Sequence, residues 1–422
     1  MSQVIILFAA SALVIVATSQ FASAGISATR IRSRAHRRYL HTLKNLRNAA
    51  EIARLDSELQ AATSNQSNLD WRVMEVAEIV DESDDCRSFY LVDPYRQQLP
   101  DFRPGQYLMV RPALAGAFQT TRCYSLSSSP DGRYWRITVK RQEPPTAEMG
   151  LPPTKMGLSV WLHENILAGD CLLVGGPNGH FYLPAESTQP LVLLAAGVGI
   201  TPMASMLRWS MENTPERPVV LLYQAKDQRH WPLGESLHSW LPEFPACKAI
   251  SYFSRASGDD LRKLAVLPGE FHEGKFTAMD VLAALTQDDC NYYFCGPDAW
   301  MQQLRDGLTD AGVSSQRMHW ESFGSAGVPK PHAAESETGF QVSFRASGTD
   351  AVWTDPEQSL WELARQNDVE LPSGCLSGVC GSCRARLLGG SVAYDRNISV
   401  ELKDDECLTC VAHPTSDVQL DI

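Results

Sequence analysis

The order of apolar and polar positions divides the chain into successive regions. The N-terminus, VIILFAASALVIVATSQFASAGISA, carries no charged side chain before Arg30, and a bilayer core of about 30 Å needs roughly 20 such residues. Residues 1–28 therefore read as a transmembrane anchor. Leu40, Leu43, Leu46, Ala50 and Ile52 or Ala53 then recur near helical spacing. They predict a basic juxtamembrane helix, followed by the polar linker ATSNQSN, over 29–68. From Trp71 the pattern changes to short β-rich runs, WRVMEVAEIV, RSFYLV, QYLMVRP, RCYSLSS and YWRITVKR, separated by Pro, Gly and Asp. Such spacing predicts a small antiparallel barrel over 69–185. The run PLVLLAAGVGI then leads into an amphipathic helix, and apolar strands alternate with helices as in a doubly wound α/β sheet over 186–325. SAGVPKPHAAESET supplies a linker, 326–338. The last region, 339–422, offers a hairpin in GFQVSFRASG and AVWTD, a short helix in SLWELARQND and a final strand.

That last region also holds the densest chemistry. CLSGVCGSC places Cys375, Cys380 and Cys383 at C-x4-C-x2-C, a spacing unlike the C-x2-C pairs of structural zinc sites. It matches the plant-type binuclear iron–sulfur loop, which takes a fourth, distant thiolate. CLTCVAHPTSDV offers Cys407 and Cys410, and Cys410, with 26 residues between it and Cys383, is the better choice. Gly374, Gly378 and Gly381 let the chain curl around an anionic cluster that needs backbone N–H donors. Cys86, Cys123, Cys171, Cys247, Cys290 and Cys407 have no such spacing and read as small buried hydrophobes. Residues 339–422 as a whole resemble a plant-type [2Fe–2S] ferredoxin domain, and the resemblance implies a β-grasp-like α+β fold that moves one electron at a time.

Composition narrows the setting. Eleven cysteines without regular pairing point to a reducing compartment. The net charge of −12 is uneven: residues 1–54 hold eight Lys/Arg against one acid, a net +7, so the remainder carries −19. An acidic body argues against nucleic acid as a partner. Ala22-Ser-Ala24 has the form of a signal-peptidase site, but the basic run RIRSRAHRR follows the apolar stretch rather than preceding it. By the positive-inside rule this favours an uncleaved single-pass anchor with the following chain in the cytoplasm.

Two further motif sets suggest what feeds the cluster. Arg122-Cys-Tyr124-Ser125 and the later Gly157-Leu158-Ser159-Val-Trp-Leu162 resemble the R-x-Y-S and G-x-x-S-x-x-L signatures of ferredoxin–NADP reductase-like flavoproteins. By this resemblance Arg122 meets a flavin phosphate, Tyr124 covers the isoalloxazine, Ser125 hydrogen-bonds its N5 region, and the helix after Gly157 points free N–H groups at the phosphate. Ser159 by itself reads as an ordinary helix cap. The intervening QEPPTAEMGLPPTKMG implies a long loop, and the set is closer to FAD-binding members than to FMN-binding ones.

In GVGITPMASML, Gly197 and Gly199 allow close approach to a pyrophosphate, while Thr201 and Pro202 start the helix. Cys295-Gly296-Pro297 resembles the family's C-G-P, with the Cys near nicotinamide C4. Glu321-Ser-Phe323-Gly resembles a segment near the flavin. Ser254 and Arg255, or Lys226 and Arg229, could hold the ribose or its 2′-phosphate, and leave NADH and NADPH both open.

The whole from Trp71 to Ile422 resembles the flavin and iron–sulfur reductases of oxygenases, desaturases and hybrid-cluster proteins. The resemblance implies that hydride from NADH or NADPH enters at FAD, with Ser125 and Cys295 positioning the reacting atoms, and that single electrons leave through the cluster to a redox partner. That partner would be an oxygenase, desaturase or similar protein, and the anchor suggests an acceptor at the membrane. A quinone-reducing respiratory component shares these modules in a different order, and a redox sensor without catalysis is a further alternative. Residues 339–422 carry −7, from six Arg/Lys and thirteen Asp/Glu, which implies a basic docking face on the acceptor.

Overall fold

The computed structural model describes residues 52–54, 71–112, 121–142, 157–321 except 286 and 288, 323, 339–369 except 357, 371, 378, 381, 383–394, 398 and 402–422. The expected anchor over 1–28 lies outside the described residues, as do most of 29–68 and the 326–338 linker. Among the described residues no helix is long and apolar enough to cross a membrane.

The β-rich runs form the expected barrel. Strands β1 (Trp71–Ser83), β2 (Cys86–Val92), β3 (Tyr107–Pro112), β4 (Arg122–Ser125), β5 (Trp135–Lys140) and β6 (Cys171–Asn178) pair in the order β4-β3-β6-β1-β2-β5. All pairs are antiparallel. A bridge between Leu126 and Ile137 joins the two end strands and closes the sheet on itself. Alternation sends Met74, Val76, Phe89, Leu91, Leu108, Val110, Ile137 and Val174 into one core, and Leu158, Trp161 and Leu162 of helix α1 (Leu158–Asn165) join them.

The nucleotide sheet is wholly parallel. Strands β7 (Leu191–Ala196), β8 (Val219–Ala225), β9 (Cys247–Phe253), β10 (Glu270–Glu273), β11 (Asn291–Cys295) and β12 (Met318–Glu321) take the order β10-β9-β8-β7-β11-β12. Buried on both faces, β7 is apolar throughout. Leu191, Leu193 and Ala195 pack toward α2 (Ile200–Asn213), α3 (Gly234–Ser239) and α4 (Gly258–Leu264). Val192 and Leu194 pack toward α5 (Ala278–Ala284) and α6 (Asp298–Asp310). The strand order reverses between β7 and β11, so the carboxyl ends of these two strands flank the switch point where open sheets of this kind bind ligands.

Barrel and sheet are held together by polar and backbone contacts. The Asp84 N–H donates to the Arg229 carbonyl at 2.9 Å and the two side chains form an ion pair. Ser129 Oγ donates to Glu212 Oε2 on α2 at 2.5 Å. Gly105, at φ +107, lies where a Cβ would fall 2.4 Å from the Phe181 carbonyl oxygen and 2.5 Å from Met206 Cε. Only glycine suits both the conformation and the space.

The C-terminal region is a mixed sheet under one helix. Strands β13 (Phe340–Phe344), β14 (Thr349–Trp353), β15 (Arg384–Gly389), β17 (Glu406–Leu408) and β19 (Val418–Leu420) take the order β14-β13-β19-β15-β17, while β16 (Val392–Tyr394) pairs with β18 (Ala412–Pro414). Helix α7 (Leu360–Gln366) begins with a reciprocal cap: the Glu362 N–H donates to Ser359 Oγ at 3.2 Å and the Ser359 N–H to Glu362 Oε2 at 2.9 Å. Its Leu360, Leu363 and Ala364 bury against Val342, Phe344 and Leu420.

Candidate functional site

The flavin residues fall on β4 and α1. Register sets Arg122 opposite Val110, Tyr124 opposite Leu108 and Ser125 opposite Tyr107, so Arg122 and Tyr124 share one side of the strand and Ser125 takes the other. The Arg122 guanidinium donates to the Thr121 carbonyl at 2.9 Å. Tyr124 packs against the barrel core, and burial pushes its phenol far above the usual range, so it stays protonated. Ser125 is 5% exposed, and its hydroxyl has no hydrogen-bond partner among the described residues. A buried hydroxyl left unmade is costly, and a ligand acceptor is a direct explanation.

Gly157 caps α1 with extended backbone and no side-chain bond, and no acidic residue occupies the first turn. The N-terminal amides are thus open to an anion. Ser159 is not the cap: it lies inside the helix, and its hydroxyl accepts from the Gln142 N–H at 3.2 Å, tying the two ends of the proline-rich loop together. The arginine, the open helix terminus and the unpartnered hydroxyl are donors of the types that a flavin phosphate and ring take up, the hydroxyl on the side of β4 opposite Arg122 and Tyr124. Residues 143–156 lie outside the described residues.

At the switch point, β7 runs into a tight turn over Gly197–Gly199 and then α2. Gly197 has φ +56, a left-handed conformation that a side chain resists. Gly199 lies so close to β11 that a Cβ would fall 2.0 Å from the Cys295 carbonyl oxygen. The helix begins at Ile200, one residue earlier than the sequence suggests. Thr201 Oγ1 is buried and donates back to the Val198 carbonyl at 3.0 Å, and Pro202 fills the first turn, where a missing N–H costs nothing.

Cys295 ends β11 fully buried, and burial, with Glu321 and Asp298 nearby, pushes its thiol well above the usual range. It is a neutral thiol, suited to lining a site and unsuited to taking a proton. Gly296 follows, and Pro297 caps α6, its carbonyl accepting from the Met301 N–H at 3.0 Å. The sequence attaches Glu321 to this site only through its ESFG segment. Register sets Glu321 beside Cys295, its Oε2 is buried without a partner, and burial raises its carboxyl to about 8. Ser254 and Arg255 occupy the same carboxyl edge, beyond β8, where the Ser254 N–H donates to the Ala225 carbonyl at 3.0 Å and the Arg255 N–H to the Lys226 carbonyl at 2.7 Å.

In the C-terminal region the Cys383 and Cys410 sulfurs are 3.0 Å apart. Both the N–H and the hydroxyl of Thr409 donate to the Cys383 carbonyl, at 3.1 and 3.0 Å, and so stitch the two cysteine segments together. Leu408, Val411, Tyr394, Ile398 and Leu402 surround the thiols. Gly378 and Gly381 have φ +75 and +70, conformations that a tight curl requires. Cys375 and Cys380 lie outside the described residues. Cys407 points instead into the core under α7, where burial raises its thiol to about 12 and disfavours a thiolate. Paired soft donors in an apolar, glycine-bent setting fit an iron–sulfur cluster.

Two outcomes follow. Cys407→Ala keeps the visible absorption and the reduced-state electron paramagnetic resonance of the cluster, whereas Cys410→Ala loses both; the reverse pattern would make Cys407 the ligand. For Glu321, a carboxyl raised from its ordinary 4.5 to about 8 contributes stability that is complete below the unfolded value and lost as pH rises through the folded one. The wild-type melting temperature therefore falls relative to Glu321→Gln between about pH 5 and 8. Parallel curves for the two proteins would show that the carboxyl is not held neutral.

Comparison with known proteins places this geometry. The profile of the 2Fe-2S iron-sulfur cluster binding domain matches residues 345–415, and that of the oxidoreductase NAD-binding domain matches 193–306. The flavohemoprotein of Rhizobium meliloti (strain 1021) is 34% identical over 285 residues, 66% of this chain and 67% of the relative. The chain spans 62% of the length of the Bacillus cereus flavohemoprotein it also matches. The solved phthalate dioxygenase reductase, described as modular for electron transfer from pyridine nucleotides to [2Fe-2S], is 28% identical. It covers 83% of this chain and 98% of its own, with a TM-score of 0.54. The FAD/NAD-binding domain of a Vibrio cholerae nitric oxide dioxygenase is 29% identical, covering 60% of this chain and 98% of its own, with a TM-score of 0.51. The chain belongs to the ferredoxin–NADP reductase-like flavoproteins that carry a C-terminal plant-type [2Fe–2S] ferredoxin domain.

Proposed function

We propose that this chain is a membrane-anchored reductase that takes electrons from NADH or NADPH and delivers them singly, through FAD and one [2Fe–2S] cluster, to an oxygenase, a desaturase or a similar redox protein. The carrying observation is that one chain combines a nucleotide switch point, ending in the buried Cys295, with two thiols held 3.0 Å apart in an apolar shell. When bound, the flavin supplies the conversion from a hydride pair to single electrons.

The chain's own residues bind and orient. Arg122 and the amides at the start of α1 neutralise phosphate. Tyr124 covers the flat ring, and the unpartnered Ser125 hydroxyl donates to the N5 side. Gly197 and Gly199 admit the pyrophosphate. Cys295, as a neutral thiol, and Glu321, whose carboxyl is raised to about 8, line the nicotinamide end and exclude water without removing a proton. Cys375, Cys380, Cys383 and Cys410 hold the cluster.

The apolar stretch before Arg30 and the basic run after it support a single-pass anchor with the catalytic part in the cytoplasm. An anchored donor favours an acceptor at the same membrane. The phthalate dioxygenase reductase likeness supports an oxygenase as the acceptor class.

The full chain in detergent, titrated anaerobically with NADH and then NADPH, should lose flavin absorbance and gain the signal of the reduced cluster, and the more effective nucleotide is the donor. Flavin and cluster both present but reduced by neither nucleotide would reject the proposal.

A further inference from the structure

The paired thiols of the C-terminal region are placed for a chemistry beyond holding a cluster. Cys383 Sγ and Cys410 Sγ are 3.0 Å apart, and a disulfide bond is about 2.05 Å long, so an approach of about 1 Å would join them. Cys383 is buried and Cys410 half-buried.

The chain itself sets this separation. Cys383 leads into β15 and Cys410 follows β17, and the two strands pair with Arg384 level with Leu408, Ala385 with Cys407 and Arg386 with Glu406. Ion pairs of Arg384 with Glu406 at 3.3 Å and of Arg386 with Asp405 at 2.9 Å run along the same two segments. Beyond the ladder, the N–H and the hydroxyl of Thr409 both donate to the Cys383 carbonyl. The Val411 N–H donates to the Leu408 carbonyl at 3.1 Å and closes a turn around Thr409 and Cys410. None of these contacts uses a sulfur atom. The entropy of closing the 26 residues between the two cysteines is therefore met by strand pairing, and a sulfur bond would have little left to overcome. Cys407 does not share this position: it is fully buried in the core under α7, level with Ala385 rather than at the strand end.

Building on the reading of Cys383 and Cys410 as cluster ligands, we infer that, in a chain that has not yet received its cluster, these two residues form an intramolecular disulfide with a small disulfide oxidant such as oxidised glutathione. The bond closes the site to iron until a dithiol reduces it. Exposure sets the order of steps. The Cys410 thiol attacks one sulfur of oxidised glutathione, a mixed disulfide forms, and the departing glutathione takes the proton that Cys410 gives up. Cys383 then attacks the Cys410 sulfur, and the second glutathione leaves with the Cys383 proton. One S–S bond breaks and one forms; the two protein thiols are oxidised, and oxidised glutathione is reduced to two glutathione thiols. A disulfide has no thiolate to offer a metal, so the joined pair cannot ligate.

The test uses the full-length chain from iron-starved cells, incubated anaerobically with oxidised glutathione, alkylated and digested for peptide mass mapping. The expected product is one linked pair, Cys383 to Cys410, with Cys407 outside it. The oxidised chain should take up no cluster from ferrous iron and sulfide, read as visible absorption, and should regain uptake after dithiothreitol. Cys383→Ser should stop at the mixed disulfide and carry the mass of one glutathione on Cys410, and Cys407→Ala should respond like the wild type. If Cys383 and Cys410 stay open to alkylation, or link to Cys375, Cys380 or Cys407 in preference to each other, the inference is overturned while the proposed function stands. If a chain kept reduced throughout takes up no cluster, the reading of these thiols as cluster ligands fails instead.

Discussion

Two stretches of backbone at the switch point lie closer together than any side chain would allow, and the nucleotide edge depends on that approach. Gly199, in the turn after β7, sits where a Cβ would fall 2.0 Å from the carbonyl oxygen and 2.5 Å from the carbonyl carbon of Cys295. The contact sets where α2 begins, aims its first-turn amides, and fixes the end of β11 that carries Cys295, Gly296 and Pro297. One missing side chain thus places both the expected pyrophosphate turn and the expected nicotinamide wall.

Some of the buried polar groups without partners among the described residues lie on the elements that form the sites described above. Ser125 Oγ on β4 and Glu321 Oε2 on β12 are both buried and have no partner among the described residues. Such groups oppose folding and favour ligand binding, since a ligand completes bonds that the protein alone leaves unmade. The C-terminal region shows the same division between structure and chemistry within four residues: Cys407 faces the core and holds its proton, while Cys410 faces Cys383.

Much of this was legible in the chain itself. The wholly apolar run of β7 announced a strand buried on both faces. The glycines after it, the Cys-Gly-Pro after β11 and the spacing of the last cysteines each carry a constraint that few residue types satisfy. Other features depend on contacts that periodicity does not encode. Closure of the barrel rests on the stretch after β4, where Leu126 bridges Ile137 and the Ser127 N–H donates to the Arg136 carbonyl at 2.8 Å. Ser159, by motif a plain cap, ties down a loop end instead. Glu321 belongs by its segment to the flavin side of the site, and its place beside Cys295 follows only from the pairing of β12 with β11.

The most direct test of the central constraint is Gly199→Ala in the full-length holoprotein, followed by stopped-flow reduction with NADH and NADPH and, separately, with dithionite. The expected result is a folded protein that keeps its flavin and its cluster and is fully reduced by dithionite. Its reduction by nicotinamide nucleotide should be slower by about 100-fold, because a displacement near 1 Å at such a site costs that much. Nucleotide-driven reduction within a few-fold of the wild-type rate would mean that the approach of Gly199 to Cys295 does not build the nucleotide site.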